Sequence, residues 1–232
     1  MEVLTIKEDC LVKCNVDCEV AHIVSKGIKK IGKYAFSDCK ELERLYLPWY
    51  VEEVPETNFV DRTQGVFRVT LQAPNFTIYG EKGTEAERVA RQASVPFEEC
   101  TEIVKDNRYY YYLGKGKKVA IPENVEYIFM GAFKNAPHVT EITFPQNLKL
   151  IGTMAFAGTS IEKIIIPKGV KSFGSEVFKR CKNLTEVIFE NGETKLDNNC
   201  FLECSDLLIV KAPAGGYVEE YAKEYGLKFQ AI

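Results

Sequence analysis

The stretch Ile-Gly-Thr-Met-Ala-Phe at residues 151–156 decides the fold, because versions of it recur along the chain at a nearly fixed interval. Each version begins with an apolar residue and ends on a phenylalanine that follows a short side chain. The other versions occupy residues 31–36, 128–133, 173–178 and 196–201. The closing residues Phe133, Phe156, Phe178 and Phe201 are 23, 22 and 23 positions apart. A fixed period of this length predicts stacked repeats, since one unit cannot bury its own apolar side.

A second pattern, apolar-x-x-apolar-x-apolar, follows the phenylalanines at residues 42–47, 139–144, 161–166 and 184–189. Its alternating end predicts a short strand with one buried face. Proline often comes next, as Pro48, Pro145 and Pro167, and it ends a strand because it cannot donate to a sheet. The Ala-Phe segment before the strand is expected to be a tight helical turn or irregular. Phe59 lies 23 positions after Phe36, so residues 54–59 are expected to be a degenerate copy.

The spacing of the closing phenylalanines lies in the range of leucine-rich repeats, and the other repeat classes have longer periods. The predicted fold class is therefore an α/β repeat, a leucine-rich-repeat solenoid with one strand per repeat in a parallel sheet. A parallel β-helix is the structural alternative, but it needs several strands per turn and each unit shows one convincing strand.

Two segments after Ala-Pro pairs, residues 83–97 and 215–229, share a pattern at a constant offset of 132. Each predicts a short amphipathic helix followed by a final strand, which would cap the open end of a solenoid. The chain is therefore expected to form two tandem capped units. Residues 1–99 form the short unit and residues 100–232 the longer one.

The Ile-Gly-x-x-Ala-Phe motif, the proline after the strand and the Tyr-Ala … Leu-Lys-Phe ending together resemble the BspA-like leucine-rich-repeat family. The resemblance covers nearly the whole chain. It implies a curved solenoid that binds proteins, often on the surface of bacteria or protozoa. Met1–Lys13 contains acidic residues and no long apolar stretch, so no signal peptide is expected in this chain, whereas the family suggests a cell-surface or secreted protein.

Composition fits a soluble globular protein. The 232 residues are 46% hydrophobic and 27% charged, and the net charge of −3 gives no general attraction to nucleic acid or anionic membranes. No apolar run approaches the ~20 residues that cross a bilayer, so no membrane insertion is expected.

Little in the sequence supports an enzyme, a metal site or a cofactor. The two histidines, His22 and His138, lack any nucleophile motif around them. His22 lies one repeat period before Leu45 and is expected in the same strand column, while His138 is expected to be exposed. The segment Gly114–Lys118 lacks the spacing of a phosphate loop and is interpreted as a hairpin turn rather than a nucleic-acid site.

Four of the eight cysteines fall in small-residue columns of the repeat, where a reduced cysteine packs as a small hydrophobe. They are Cys39, Cys181, Cys200 and Cys204. Cys10, Cys14 and Cys18 are spaced by four, which is not the usual spacing of a structural zinc site. A disulfide within an N-terminal hairpin is the favoured alternative if the compartment is oxidising.

The solvent-facing positions of the predicted sheet give the candidate binding residues. One column reads Lys118, Glu141, Lys163, Glu186 and Ile209, with alternating charge over four strands. The neighbouring column reads Ala120, Thr143, Ile165, Ile188 and Lys211. Two adjacent exposed isoleucines are unusual enough to suggest an interface. The predicted partner-binding residues are Lys163, Ile165, Glu186 and Ile188.

The sequence therefore favours a non-enzymatic protein–protein interaction or adhesion module, which binds a protein partner or a second copy of itself through the sheet face. A structural repeat spacer of a larger cell-surface protein is the alternative. A nucleic-acid binder or an enzyme ranks behind both.

Overall fold

The computed structural model describes residues 3–15, 20–22, 28–37, 39, 41–61, 68–69 and 75–232. The chain forms two compact units. The first unit contains Met1–Thr101 and Leu113–Lys115, and the second contains Glu102–Tyr112 and Gly116–Ile232. The predicted division into capped units of residues 1–99 and 100–232 stays a prediction. None of the helices in the described parts of the chain has the length and apolarity to cross a membrane.

The first unit holds nine strands, one α-helix and a single 3-10 turn at Glu56–Asn58 within its described residues. They are β1 (Val3–Lys7), β2 (Cys10–Asn15), β3 (Val20–His22), β4 (Lys30–Ile31), β5 (Arg44–Tyr46), β6 (Val60–Asp61), β7 (Arg68–Val69), β8 (Thr77–Gly80), α1 (Glu85–Ala93) and β9 (Phe97–Glu99). Strands β3, β5, β8 and β9 form a parallel sheet. Strands β1 and β2 form an antiparallel hairpin, and β2 also pairs in parallel with β4.

The second unit continues with β10 (Glu102–Lys105), β11 (Arg108–Tyr112), β12 (Lys118–Ala120), β13 (Tyr127–Ile128), β14 (Glu141–Thr143), β15 (Leu150–Ile151), β16 (Lys163–Ile166), β17 (Ser172–Phe173), β18 (Glu186–Phe189), β19 (Ile209–Ala212), α2 (Tyr217–Glu224) and β20 (Lys228–Ala231). Strands β16, β18, β19 and β20 form a parallel sheet, and β12 pairs in parallel with β14.

The predicted repeat strands are confirmed in position and in phase. Along β16 the side chains alternate between exposed and buried, with Ile164 and Ile166 in the core. Ile164 pairs with Val187 in the next strand, as the repeat period requires. Pro167 follows β16 directly, at the point where the strand ends. The parallel solenoid expected from the sequence is therefore present.

A second parallel ladder was missed by the sequence analysis. Strands β13, β15 and β17, each two residues long, pair in parallel, and each ends on the first residue of an Ile-Gly type segment. Each of these turns thus carries two short strands, and the expectation of one strand per repeat was wrong. Consecutive turns approach each other closely here. A Cβ added at Gly152 would lie only 2.8 Å from the backbone nitrogen of Met130, so there is no room for a side chain.

The core of the second unit is a column of stacked aromatic rings. The closing phenylalanines Phe133, Phe156, Phe178 and Phe201 follow one another with 5.2, 5.5 and 5.7 Å between ring centroids. In the first unit, Phe59 lies between Phe36 and Phe76 in the same way, at 6.3 and 5.3 Å. Residues 54–59 are therefore a genuine degenerate copy of the repeat.

Both predicted caps are present. Helix α1 leads to β9, which adds in parallel to β8, and α2 leads to β20, which adds in parallel to β19. In each cap a glycine with positive φ precedes the helix and donates its N–H to a glutamate of the first turn. Gly83 N lies 2.8 Å from Glu87 Oε2, and Gly215 N lies 2.7 Å from Glu219 Oε2. The caps end the first unit and the chain with the same local structure.

Two predicted placements were wrong. Ala21, and not His22, pairs with Leu45, so His22 is opposite Tyr46 in the neighbouring column. The segment Gly114–Lys118 is not a hairpin turn, because β11 and β12 on its two sides belong to different sheets. The hairpin lies one strand earlier, between β10 and β11.

Candidate protein-binding face

The sheet face of β16 and β18 brings the four predicted binding residues together. Ile165 lies directly opposite Ile188 in the ladder, and Lys163 lies opposite Glu186. The Ile165 side chain is 49% exposed, and Ile188 is half-buried. The predicted phase is therefore correct, because both isoleucines point away from the core residues on either side of them.

An ion-pair network flanks the isoleucines. The ammonium groups of Lys163 and Lys211 lie 2.6 and 3.1 Å from the Glu186 carboxylate oxygens. Hydrogen bonds from these two lysines hold the pKa of the Glu186 carboxyl below its usual range. The carboxylate is thus charged at neutral pH, and it gives the apolar pair a polar, ordered edge.

The expected alternating charge ladder is interrupted. Lys118 pairs with Glu141 at 2.6 Å, and Lys163 pairs with Glu186, but no ion pair joins Glu141 to Lys163 among the described residues of the second unit. Strands β14 and β16 also belong to different sheets, with no backbone hydrogen bond between them in this fully described segment. The repeat that ends at Phe178 is one position shorter than its two neighbours. The prediction of a continuous ladder over four strands was therefore wrong.

A cleft lies where the two strands fail to pair. Its volume is about 530 Å³, and Glu141, Thr143, Lys163 and Ile165 are among its lining residues. The predicted binding residues Lys163 and Ile165 thus border a concavity as well as a flat sheet. The cleft has no catalytic constellation of side chains in its lining.

Three of the four cysteines in the repeat columns are buried as predicted, and the predicted burial of Cys204 was wrong. Cys39, Cys181 and Cys200 lie in the core, while Cys204 is only half-buried. The Cys200 and Cys204 sulfurs donate to separate backbone carbonyls, those of Asp197 and Phe178, at 3.1 and 3.0 Å. Burial raises the pKa of both thiols to about 12. These thiols are therefore poor nucleophiles at neutral pH.

The remaining candidates for chemistry are dispersed. Cys10 and Cys14 both lie in β2, with Cys14 in the core and Cys10 half-buried, and Cys18 lies outside the described residues. His138 is half-buried against the Tyr112 ring at 6.0 Å, so its predicted exposure was wrong. In the parts of the chain that the structure describes, no three histidine, cysteine or acidic side chains gather as they would around a metal ion.

The first unit has an aromatic surface pair that the sequence analysis missed. Tyr46 and Tyr79 lie opposite each other on β5 and β8, with rings stacked at 4.6 Å. The Tyr46 hydroxyl forms a hydrogen bond with Arg44, and the Tyr79 hydroxyl forms one with Glu98. Burial raises the pKa of both tyrosines. The outward-facing columns of the second unit, extended to the first unit, include residues 46 and 79. The irregular repeat spacing of the first unit hides this register in the sequence.

Stacked parallel turns of this period, closed by a helix and a final strand, define a leucine-rich-repeat solenoid. The chain belongs to the family described as the BspA type leucine rich repeat region, which matches residues 2–81 and 102–223 in six copies.

Several solved structures are similar to this chain. A leucine-rich repeat protein from Bacteroides ovatus shares 20% identity over 92% of this chain and 60% of its own, with a TM-score of 0.47. One from Eubacterium ventriosum shares 18% over 81% of this chain and 46% of its own, with a TM-score of 0.42. A leucine rich cell surface protein from Faecalibacterium prausnitzii shares 20% over 91% and 68%, with a TM-score of 0.37. The chain thus spans about half the length of the first two. No curated protein matches it.

Proposed function

We propose that this protein is a non-enzymatic protein-binding module, which contacts a protein partner or a second copy of itself through the sheet face of β16 and β18. The observation that carries the proposal is the pair Ile165 and Ile188, side by side on a sheet whose other face is fully occupied by the core. Apolar side chains at the centre of an interface supply much of its affinity, and a charged rim of the kind formed by Lys163 and Glu186 supplies specificity.

The family supports the same function in general terms, because stacked repeats expose one long surface that can be varied without disturbing the core. Adhesion at a cell surface is the more specific form of the proposal. Among the side chains that the structure describes, the cysteines and His138 are dispersed and offer no arrangement for catalysis, which favours binding over chemistry.

The test uses the double variant Ile165→Asp, Ile188→Asp and a matched control, Leu207→Asp, at a residue that is 67% exposed and outside the strands. Self-association is measured by sedimentation over a range of protein concentrations. Binding of peptides selected from a random displayed library on the unmodified protein is measured by interferometry. Both variants should stay folded, since none of the three side chains belongs to the buried core.

The double variant is expected to lose self-association or peptide binding at least about tenfold, whereas the control keeps it. Equal binding by all three proteins would remove this face as the interface. If the unmodified protein neither self-associates nor enriches any peptide, the structural spacer becomes the better explanation of the fold.

A further inference from the structure

The break between β14 and β16 leaves backbone hydrogen-bonding groups open. Successive residues of a parallel strand direct their backbone groups to opposite neighbours. Thr143 faces β12, because its carbonyl accepts from Ile121 N at 2.9 Å, so Ile142 faces β16. Glu162 faces β18, because its carbonyl accepts from Thr185 N at 2.9 Å, so Lys163 faces β14. The groups of Ile142 and Lys163 therefore point into the cleft without a strand partner.

The floor of the cleft is apolar. Ile142 and Phe144 are 7% and 8% exposed, whereas Ile164 and Ile166 in the next strand are 1% and 0% exposed. The opening thus reaches the edge of the core at these two side chains. Ile165 extends the apolar surface outward on the opposite wall. An aliphatic chain laid across the cleft would contact all three.

The rim of the cleft carries an excess of negative charge. Glu141, Glu162 and Glu190 line it, but the Glu141 carboxylate is already paired with the Lys118 ammonium group at 2.6 Å, and one Glu190 oxygen accepts from the backbone N–H of Lys168 at 3.0 Å. Lys163 is the one cationic lining residue, in a stretch of chain described throughout. Lys163 directs its ammonium group to Glu186, outside the cleft lining, at 2.6 Å. Glu162 and Glu190 have no basic side chain within ion-pair distance among the described residues. The rim is therefore complementary to a cation.

From these three features we infer that the cleft receives an arginine side chain of a polypeptide partner, an inference that rests on the proposed binding function of this face. The methylene stem covers the apolar floor while the charged end reaches the rim. The guanidinium group has five N–H donors in a planar fork, so it can bond to a carboxylate and to an open carbonyl at once. A lysine ammonium matches the charge but not this spread of acceptors.

The experiment uses the full chain with labelled isoleucine δ1 methyl groups, observed by NMR during titration with an acetylated, amidated Gly-Gly-Arg-Gly-Gly peptide. Matched peptides replace arginine with citrulline, which keeps the shape and loses the charge, or with lysine. The Ile142 and Ile165 methyl signals should shift and saturate with the arginine peptide, and the citrulline peptide should bind about tenfold more weakly. The Ile232 methyl, far along the chain from the cleft, serves as the internal control.

The variant Glu162→Gln, Glu190→Gln should weaken arginine-peptide binding about tenfold, whereas Glu123→Gln, at an exposed carboxylate outside the cleft, leaves it unchanged. Equal shifts with the citrulline peptide, equal affinity of the lysine peptide, or no shift at Ile142 and Ile165 would each overturn the inference. The two proposals can fail separately. If the Ile165→Asp, Ile188→Asp variant loses association but the arginine peptide does not bind to the unmodified protein, the arginine site is rejected and the proposed binding function stands.

Discussion

The ring of Phe156 stacks on the ring of Phe178 with 5.5 Å between their centroids and 16° between their planes. The two side chains come from consecutive turns, and both are fully buried. Repetition of this contact joins the turns of the second unit through a single aromatic column. The column therefore couples the stability of each turn to that of its neighbours.

We expect Phe156→Ala to lower the free energy of unfolding by about 3–5 kcal/mol, because it removes a buried ring between two others and leaves a cavity. Phe129→Ala, at a ring that is 40% exposed, is the control and should have a much smaller effect. Urea unfolding followed by circular dichroism measures both. Similar losses in the two variants would show that the column does not hold the turns together.

The regular features of this column and of the main strands were predictable, because a buried aromatic that recurs once in every turn leaves a strong sequence signal. The β13, β15 and β17 ladder was not, since strands of two residues are too short to show alternation. Buried polar side chains also escape the pattern. Asn58 is buried and donates to the carbonyl oxygen of Gly32 at 3.0 Å, a contact between distant parts of the chain that no local rule indicates.

The candidate site also has one feature that the sequence predicted and one that it did not. The phase of Ile165 and Ile188 follows from side-chain alternation, so sequence was sufficient to place them. The cleft beside Ile165 depends on whether two neighbouring strands form hydrogen bonds, and the shortening of that repeat by one position gave only an indirect sign of the break. Aligning the repeats in columns treats every pair of neighbouring strands as equally hydrogen-bonded, and so it does not reveal a break between two of them.

The C-terminal cap gives a second prediction, about glycine. A Cβ at Gly216 would lie 2.4 Å from the carbonyl oxygen of Gly192, so the cap and the preceding repeat would have to separate. We expect Gly216→Ala to cost about 1–3 kcal/mol from this overlap. Gly215→Ala is the comparison, because its Cβ would meet nothing within 4 Å but its φ of +84° is unfavourable, at a cost of about 1–2 kcal/mol. Thermal unfolding gives the melting temperatures of both variants. An unchanged melting temperature for Gly216→Ala would contradict this packing of the cap.

A third prediction concerns thiol reactivity. Burial raises the pKa of Cys181, and that of Cys200 to about 12, so neither forms an appreciable amount of thiolate at pH 8. We expect both to resist iodoacetamide in the native protein and to react fully after denaturation, while half-buried Cys10 reacts sooner. Mass spectrometry of digests made under non-reducing conditions locates the label. A Cys200–Cys204 linkage, or native labelling of Cys200 as fast as that of Cys10, would contradict the assignment.

The same raised values set the direction of an alkaline effect. The neutral thiol is favoured in the folded state, whose pKa exceeds the unfolded value of about 8.5. This stabilisation is complete below pH 8.5 and is lost as the pH rises towards 12. In a Cys200→Ala variant the decline in melting temperature above pH 8.5 should be shallower than in the unmodified protein.

The last prediction separates the two charge pairs of the sheet face. Glu186 forms ion pairs with Lys163 and Lys211, which lower the pKa of its carboxyl in the folded protein. Its contribution to folding stability should therefore be present above the pKa of the unfolded chain, about 4.3, and should be lost as the pH falls through the lower pKa of the folded state. Glu186→Gln is therefore expected to lower the melting temperature at pH 7 and to match the unmodified protein near pH 2. Glu141 instead contacts exposed Lys118, and Glu141→Lys should change the melting temperature by only about 1–2 °C, an effect that added salt reduces. A large loss in Glu141→Lys that ignores salt would mean that Glu141 contributes packing as well as charge. A Glu186→Gln difference that persists unchanged at pH 2 would show that the side chain acts through its shape, not through its two lysine partners.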